Sequence, residues 1–243
     1  MDWFAAVDIY CERTSAAFWA EPVNALTNFA VIVPVGWGIL TARRLGEKSL
    51  LIWALLALAA LIGVGSFVFH TVAQRWAELA DTLPIWSFMA LYAFVAARRL
   101  LDLQLVGRHA TALGAGAVLV LIFIANGEDG AQANELLPAL ETLNGSGQYL
   151  PAILAGALVL AGVWWKRRPL WHLASATSFA FVLALSMRTM DASVCTTMPL
   201  GTHFLWHLFN CLSLGFALQL VLRGPEVARQ QARDALPVAA FSR

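Results

Sequence analysis

Apolar residues in this chain fall in long runs, and the polar residues between them fall in short clusters. A bilayer-spanning helix needs about 20 predominantly apolar residues. Seven runs meet that demand: 23–43, 50–70, 80–98, 109–126, 147–165, 170–188 and 201–222. Runs 80–98 and 170–188 carry more polar residues than the others. The pattern predicts an all-α membrane protein, a seven-transmembrane-helix bundle. It divides the chain into an outer N-terminal segment, 1–22, the helical domain, 23–222, and a loosely ordered cytoplasmic tail, 223–243. No linker or shift in composition marks a second domain.

Composition agrees with the pattern. Of the 243 residues, 60% are hydrophobic and 13% charged, whereas a soluble domain carries about 25% charged residues. Lipid, not water, is the expected solvent for most of the chain.

The charges then orient the bundle. Counted by side between the runs, 13 of the 16 Lys and Arg fall on one side, together with 4 of the 15 Asp and Glu. The other side keeps only Arg13, Arg75 and Arg188, with the remaining acids. Basic residues stay on the cytoplasmic side of spanning helices. The N-terminus is therefore expected outside and the C-terminus in the cytoplasm. The overall net charge of +1 hides this asymmetry, and no basic cluster interleaved with aromatics suggests a nucleic-acid partner. The first 22 residues lack the basic start and continuous apolar core of a secretory signal, and carry Asp2, Asp8, Glu12 and Glu21 instead. The longest outer loop, 126–148, holds Glu128, Asp129, Glu135 and Glu141 and no basic residue. Cys211 lies inside the last run. Cys11 and Cys195 both fall on the outer side, where disulfides form, and are expected to bridge.

The candidate chemistry lies at the outer end. His70 closes the second run, while His203 and His207 open the last. Residues four apart share one helix face, so His203 and His207 can bind one ion together, and Ser66 and His70 share a face in the same way. The alternating topology also brings Asp81, at the start of the third run, to that level. His109 and His172 fall at the opposite edge. A histidine near a helix end is ordinarily an interfacial or hydrogen-bonded residue, and a serine in an apolar helix ordinarily bonds its own backbone. Convergence of groups from three helices at one depth outweighs those readings, because ionisable groups inside a membrane are costly unless they serve a function. Three imidazoles leave a tetrahedral zinc ion one open position for water, whose pKa falls towards ~7. Asp81 is then placed to take a proton from that water and return it to a leaving group, and Ser66 to donate to an oxyanion. This set suits hydrolysis of a lipid amide or ester.

A Ser-x3-His pair, a following Asp and a His-x3-His pair on seven runs resemble the CREST superfamily of membrane hydrolases. Within it the chain looks like the alkaline ceramidases. Tyr10-Cys11-Glu12, the stretch from Glu21-Pro22 to Thr27-Asn28, and Gly65-Ser66 with His70-Thr71 carry the resemblance. So do Asp81-Thr82-Leu83-Pro84, Arg188 with Asp191 and Cys195, and the segment His203 to His207. Related progestin and adiponectin receptors share the histidines but have their N-terminus inside. The resemblance implies zinc on His70, His203 and His207, with Asp81 and Ser66 as catalytic neighbours. It also implies cleavage of the N-acyl bond of ceramide-like lipids to a fatty acid and a long-chain amine. Animal members in addition hold calcium with acidic residues of the N-terminal segment. Glu12 and Glu21 match that pattern here, with Asp8 and Asn24 nearby. The chain departs from it at Tyr10, where tryptophan is usual, at Thr14, where asparagine is usual, and in a shorter gap between the glutamates. A solvated acidic segment is an equal alternative, as an ion pair closing the sixth run is for Arg188 and Asp191. An ester-lipid (phospholipid) acyl hydrolase and a non-enzymatic lipid receptor with structural zinc stand as alternatives. The expected location is a bacterial cytoplasmic membrane, with the site near the periplasmic face.

Overall fold

Six helices of the computed structural model are long and apolar enough to cross a membrane: Pro22–Arg44, Leu50–Val72, Arg75–Arg99, Ser146–Lys166, Arg168–Val194 and His203–Asp234. The structure describes residues 2–103 and 143–234. The expected run 109–126 and most of the loop 126–148 lie outside the described residues. Among the described residues the only β pairing is an isolated bridge between Ala6 and Gln74.

The first crossing is broken into α1 (Pro22–Thr27), a 3₁₀ turn (Asn28–Val31) and α2 (Ile32–Arg44). Pro22 occupies the first helical position, where its missing N–H costs nothing. Both carboxylate oxygens of Glu12 receive the next free amides, those of Val23 and Asn24, at 2.7 and 2.8 Å. Helix α3 (Leu50–Val72) ends where Ala73 turns left-handed and returns its N–H to the Phe69 carbonyl. The chain then reverses directly into α4 (Arg75–Arg99). Helices α5 (Leu150–Lys166), α6 (Trp171–Val194) and α7 (His203–Asp234) complete the described bundle.

Helix α7 packs chiefly against α6 and α2, and α3 against α4. Ile52, Leu55, Leu100, Val163, Leu218 and Leu220 form the buried centre. Large apolar side chains such as Leu50, Trp165, Phe179 and Val33 point outward and stay exposed, an arrangement that suits contact with lipid rather than water.

At the end of the bundle away from the histidines, basic side chains meet helix C-termini and acids. Arg99 bonds Glu47 at 2.6 Å and the Val221 carbonyl at 3.2 Å. Lys166 reaches the Leu101 carbonyl at 2.6 Å, and Arg167 pairs with Asp102. The expected loose tail from 223 is corrected as far as Asp234. Helix α7 continues through Pro225, Val227 packs on the core, and Gln231 accepts a bond from Arg167 at 3.4 Å. Falling hydropathy marks where lipid contact ends; backbone hydrogen bonding runs on past it.

Candidate active site

The C-terminal end of α3, the start of α4 and the first turn of α7 meet at one end of the bundle. There His70, His203 and His207 bring their rings together, with centroids 5.1, 4.8 and 4.7 Å apart. Their ligand-capable atoms lie within 4.8 Å of one another, and all three side chains are buried. Among the described residues this is the one group of three His, Cys, Asp or Glu side chains gathered closely enough to hold a metal ion.

Surrounding groups fix which ring nitrogen faces inward. His70 Nδ1 lies 2.6 Å from Glu21 Oε2. A carboxylate only accepts, so this nitrogen carries the proton and Nε2 keeps its lone pair. His207 Nδ1 lies 2.9 Å from the Thr27 hydroxyl. That hydroxyl gives its own proton to the Val23 or Asn24 carbonyl, at 2.8 and 3.0 Å. It therefore accepts from His207, and Nε2 is again left as a lone pair. His70 Nε2, His207 Nε2 and His203 Nδ1 are buried without a hydrogen-bond partner. A buried polar atom left unsatisfied costs about 1–3 kcal/mol. Three imidazoles with ligand atoms within 4.8 Å of one another fit a divalent ion, and nitrogen donors with carboxylate or hydroxyl support suit zinc.

His203 is placed through its backbone and its ring face. The Thr202 and His203 amides, free at the start of α7, both donate to Asp191 Oδ1 at 2.7 and 2.9 Å. An anion at a helix N-terminus is favourable for both amides and dipole. Gly201 (φ +66°) makes the turn into the helix, where a Cβ would crowd Asp191 and the Cys11 side chain. Asp191 Oδ2 also accepts the Cys11 amide at 3.1 Å. Cys11 is bonded to Cys195, as expected from the sequence, with Cα atoms 5.1 Å apart. The bridge holds Tyr10 in place to stack on His203, 3.5 Å between centroids at 20°. Burial raises the Tyr10 pKa, despite the opposing charge of Arg188, so the phenol stays neutral. Arg188 bonds the Tyr10 hydroxyl and lies against the rings of Tyr10, Tyr149 and Trp206 at 5.5, 5.9 and 5.7 Å. The anticipated Arg188–Asp191 ion pair is thus corrected: both partners are engaged elsewhere.

Ser66 and Asp81 come together where α3 and α4 touch. Both side chains face the same cavity, and Asp81 Oδ1 is buried with no hydrogen-bond partner. Gly65 presents no side chain there, which lets the backbone of Ala80 and Asp81 close on α3. Ser66, Asp81 and His207 line a cavity of about 340 Å³. Ile85, Met89, Phe181 and Leu214 line its apolar interior. It is long-chain space beside titratable groups.

The acidic N-terminal residues do not form a comparable cluster. Glu12 caps α1, and Asp8 is exposed. Glu21 is buried against His70, Arg13 (2.5 Å) and Asn24 (3.1 Å). Burial alone would raise its pKa, but the hydrogen bonds from His70, Asn24 and Arg13 hold it below the ordinary carboxylate value. The expected calcium site on Glu12, Glu21, Asp8 and Asn24 finds no support in this arrangement. Sequence reasoning did not assign Thr27 to His207, Glu21 to His70, or Tyr10 and Asp191 to His203. Only the order of short motifs hinted that those segments matter.

Against known proteins, a family model described as Ceramidase matches residues 5–234. No curated protein matches the chain.

Proposed function

The chain belongs to the ceramidase family, and from that premise we propose that it hydrolyses the N-acyl bond of ceramide-like lipids at the His70–His203–His207 centre. The observation that carries the reading is the convergence of three unpaired, buried imidazole nitrogens beside the Ser66–Asp81 pair at the edge of an apolar cavity.

His70, His203 and His207 would hold zinc. When bound, zinc supplies a positive charge that acidifies water and polarises a carbonyl. Glu21 and Thr27 keep the imidazoles of His70 and His207 in the tautomer that presents Nε2. The cavity takes the apolar chains of the lipid and brings its amide to Ser66 and Asp81. Asp81 Oδ1, free of other partners, takes a proton from the attacking water as the water oxygen bonds to the acyl carbon. Ser66 donates to the oxygen of that carbonyl as negative charge develops there. Asp81 then returns the proton to nitrogen as the C–N bond breaks, releasing a fatty acid and a long-chain amine.

We read the bundle as seven crossings, the described six plus 109–126. The N-terminus and the histidine end lie outside and the C-terminus in the cytoplasm, in a bacterial cytoplasmic membrane with the site on its periplasmic face. Burial of Arg13 and Arg188 supports that orientation. Two of the three basic residues on the outer side are internal partners of Glu21 and Tyr10. They are not loop charges of the kind that sets topology.

The test is metal content and fatty-acid release from a panel of ceramides and ester lipids, in mild detergent, before and after chelation. One zinc per chain with chelator-sensitive amide cleavage is expected. Zinc with cleavage of ester lipids alone would replace the substrate. Zinc with no turnover would leave a binding role, and a folded sample without metal would remove the centre.

A further inference from the structure

The segment that was expected to bind calcium contains its own cation. Arg13 is buried, and each of its guanidinium nitrogens is committed. Nε donates to Glu21 Oε1 at 2.5 Å, Nη1 to the Ser15 carbonyl at 3.2 Å, and Nη2 to the His70 carbonyl at 3.1 Å. The last contact falls at the C-terminal turn of α3, where carbonyls lack helical partners and a positive charge is favoured. Glu21 Oε2 is meanwhile shared by His70 Nδ1 and Asn24 Nδ2, and both oxygens of Glu12 are taken by amides of α1. Each of the four carboxylate oxygens already accepts a hydrogen bond, and Glu21 Oε2 accepts two. One guanidinium both neutralises Glu21 and grips the backbone of the residue whose ring Glu21 orients.

We infer that Arg13 is a positioning residue for the histidine centre, locking Glu21 onto His70, and that this fixed charge makes the centre complete without calcium. The inference rests on the proposed metal site but not on the proposed substrate. Without the Arg13 charge, Glu21 is a buried carboxylate that has lost its fixed counter-ion, and it is free to turn away from Nδ1. Loss of a carboxylate partner behind a metal-binding histidine lowers metal affinity about 10- to 100-fold.

Zinc affinity of the purified full chain, measured by competition with a chromogenic chelator, tests this without any substrate. Arg13→Gln should bind zinc about 10- to 100-fold more weakly, and Arg13→Lys, which restores the charge, should recover most of the loss. Millimolar calcium, or a calcium-selective chelator, should leave the zinc affinity and melting temperature of the unaltered protein unchanged. A folded Arg13→Gln protein with unaltered zinc affinity would overturn the positioning role. An Arg13→Lys protein as weak as Arg13→Gln would overturn the role of the charge. Should Arg13→Gln fail to fold, the comparison of Arg13→Lys with the unaltered chain and the calcium titration still decide. Calcium that raises the melting temperature or tightens zinc binding would overturn the claim of independence. Absence of zinc binding by the unaltered protein would instead sink the proposed metal centre itself.

Discussion

Gly65 on α3 and Asp81 on α4 lie so close that a methyl group on the glycine would sit 3.1 Å from the Asp81 Cα, and closer still to the Ala80 carbonyl. The contact is backbone on backbone, so neither side can yield by a rotamer change. It sets the distance between Ser66, next along α3, and the Asp81 carboxylate.

Gly65→Ala should therefore push α4 away and misplace Asp81 while leaving the three histidines on α3 and α7. A displacement of about 1 Å in a reacting group costs on the order of 100-fold in rate. Overpacking costs about 1–3 kcal/mol of stability. Turnover near the unaltered rate in a variant that retains zinc would show that the α3–α4 spacing does not control the chemistry.

Asp81→Asn keeps the shape of the side chain and removes its ability to take a proton. Zinc content should be unchanged, and lipid hydrolysis should fall by about 100- to 10,000-fold, the range for loss of a positioned acid–base group. Ser66→Ala, which removes one donor to the carbonyl oxygen, should cost roughly 100-fold. The two effects should be less than additive, because the residues are neighbours on one cavity wall. Steady-state rates on one ceramide for both single variants and the double variant are sufficient.

Thr27→Val preserves bulk and deletes the hydroxyl that lies 2.9 Å from His207 Nδ1. The ring is then held less firmly in the tautomer that presents the Nε2 lone pair. Zinc affinity should drop about 10-fold. His207→Ala should abolish stoichiometric binding altogether. A Thr27→Val protein with normal affinity would mean that the Thr27 hydroxyl does not set the imidazole.

Removing the metal should also destabilise the fold, because a ligand held only by the native state raises its stability. Chelation should lower the melting temperature and readdition of zinc restore it. In His203→Ala that metal-dependent increment should vanish. Scanning fluorimetry in detergent reads both.

Cys195→Ser opens a bridge between positions 184 residues apart in sequence. Loss of a native cross-link typically costs about 2–4 kcal/mol. The N-terminal segment should become the first part to loosen, since Tyr10 and Arg13 depend on its position. Faster hydrogen exchange at Tyr10 to Glu21, with α5 unaffected, is the expected signature.

Local periodicity made much of the centre readable. His203 and His207 share a helix face, as do Ser66 and His70, and the order of the apolar runs predicts that they meet Asp81. The supporting shell is of another kind. Glu21 and His70 are 49 positions apart, and Thr27 and His207 are 180 apart. Such pairings follow from packing, which leaves no periodic trace. Residue type misled at Glu12 and Glu21, because carboxylates that could bind an ion bind amides and an arginine equally well. Hydropathy likewise located the apolar part of α7 but not its end, since Arg223 to Asp234 stay helical outside the apolar stretch. Ring stacking of Tyr10 on His203 had only the motif around Cys11 as a signal.

Because Tyr10, Cys11, Glu21 and Thr27 precede the first crossing or open it while His203 and His207 lie on the last described helix, the centre is complete only once that helix is in place. A nascent chain that has inserted every earlier helix still lacks two imidazoles and the turn whose amides Asp191 caps. Hydrolytic capacity would thus arise in one step, on arrival of the final helix, and a truncated or stalled product would release no lipid fragments into the membrane that holds it.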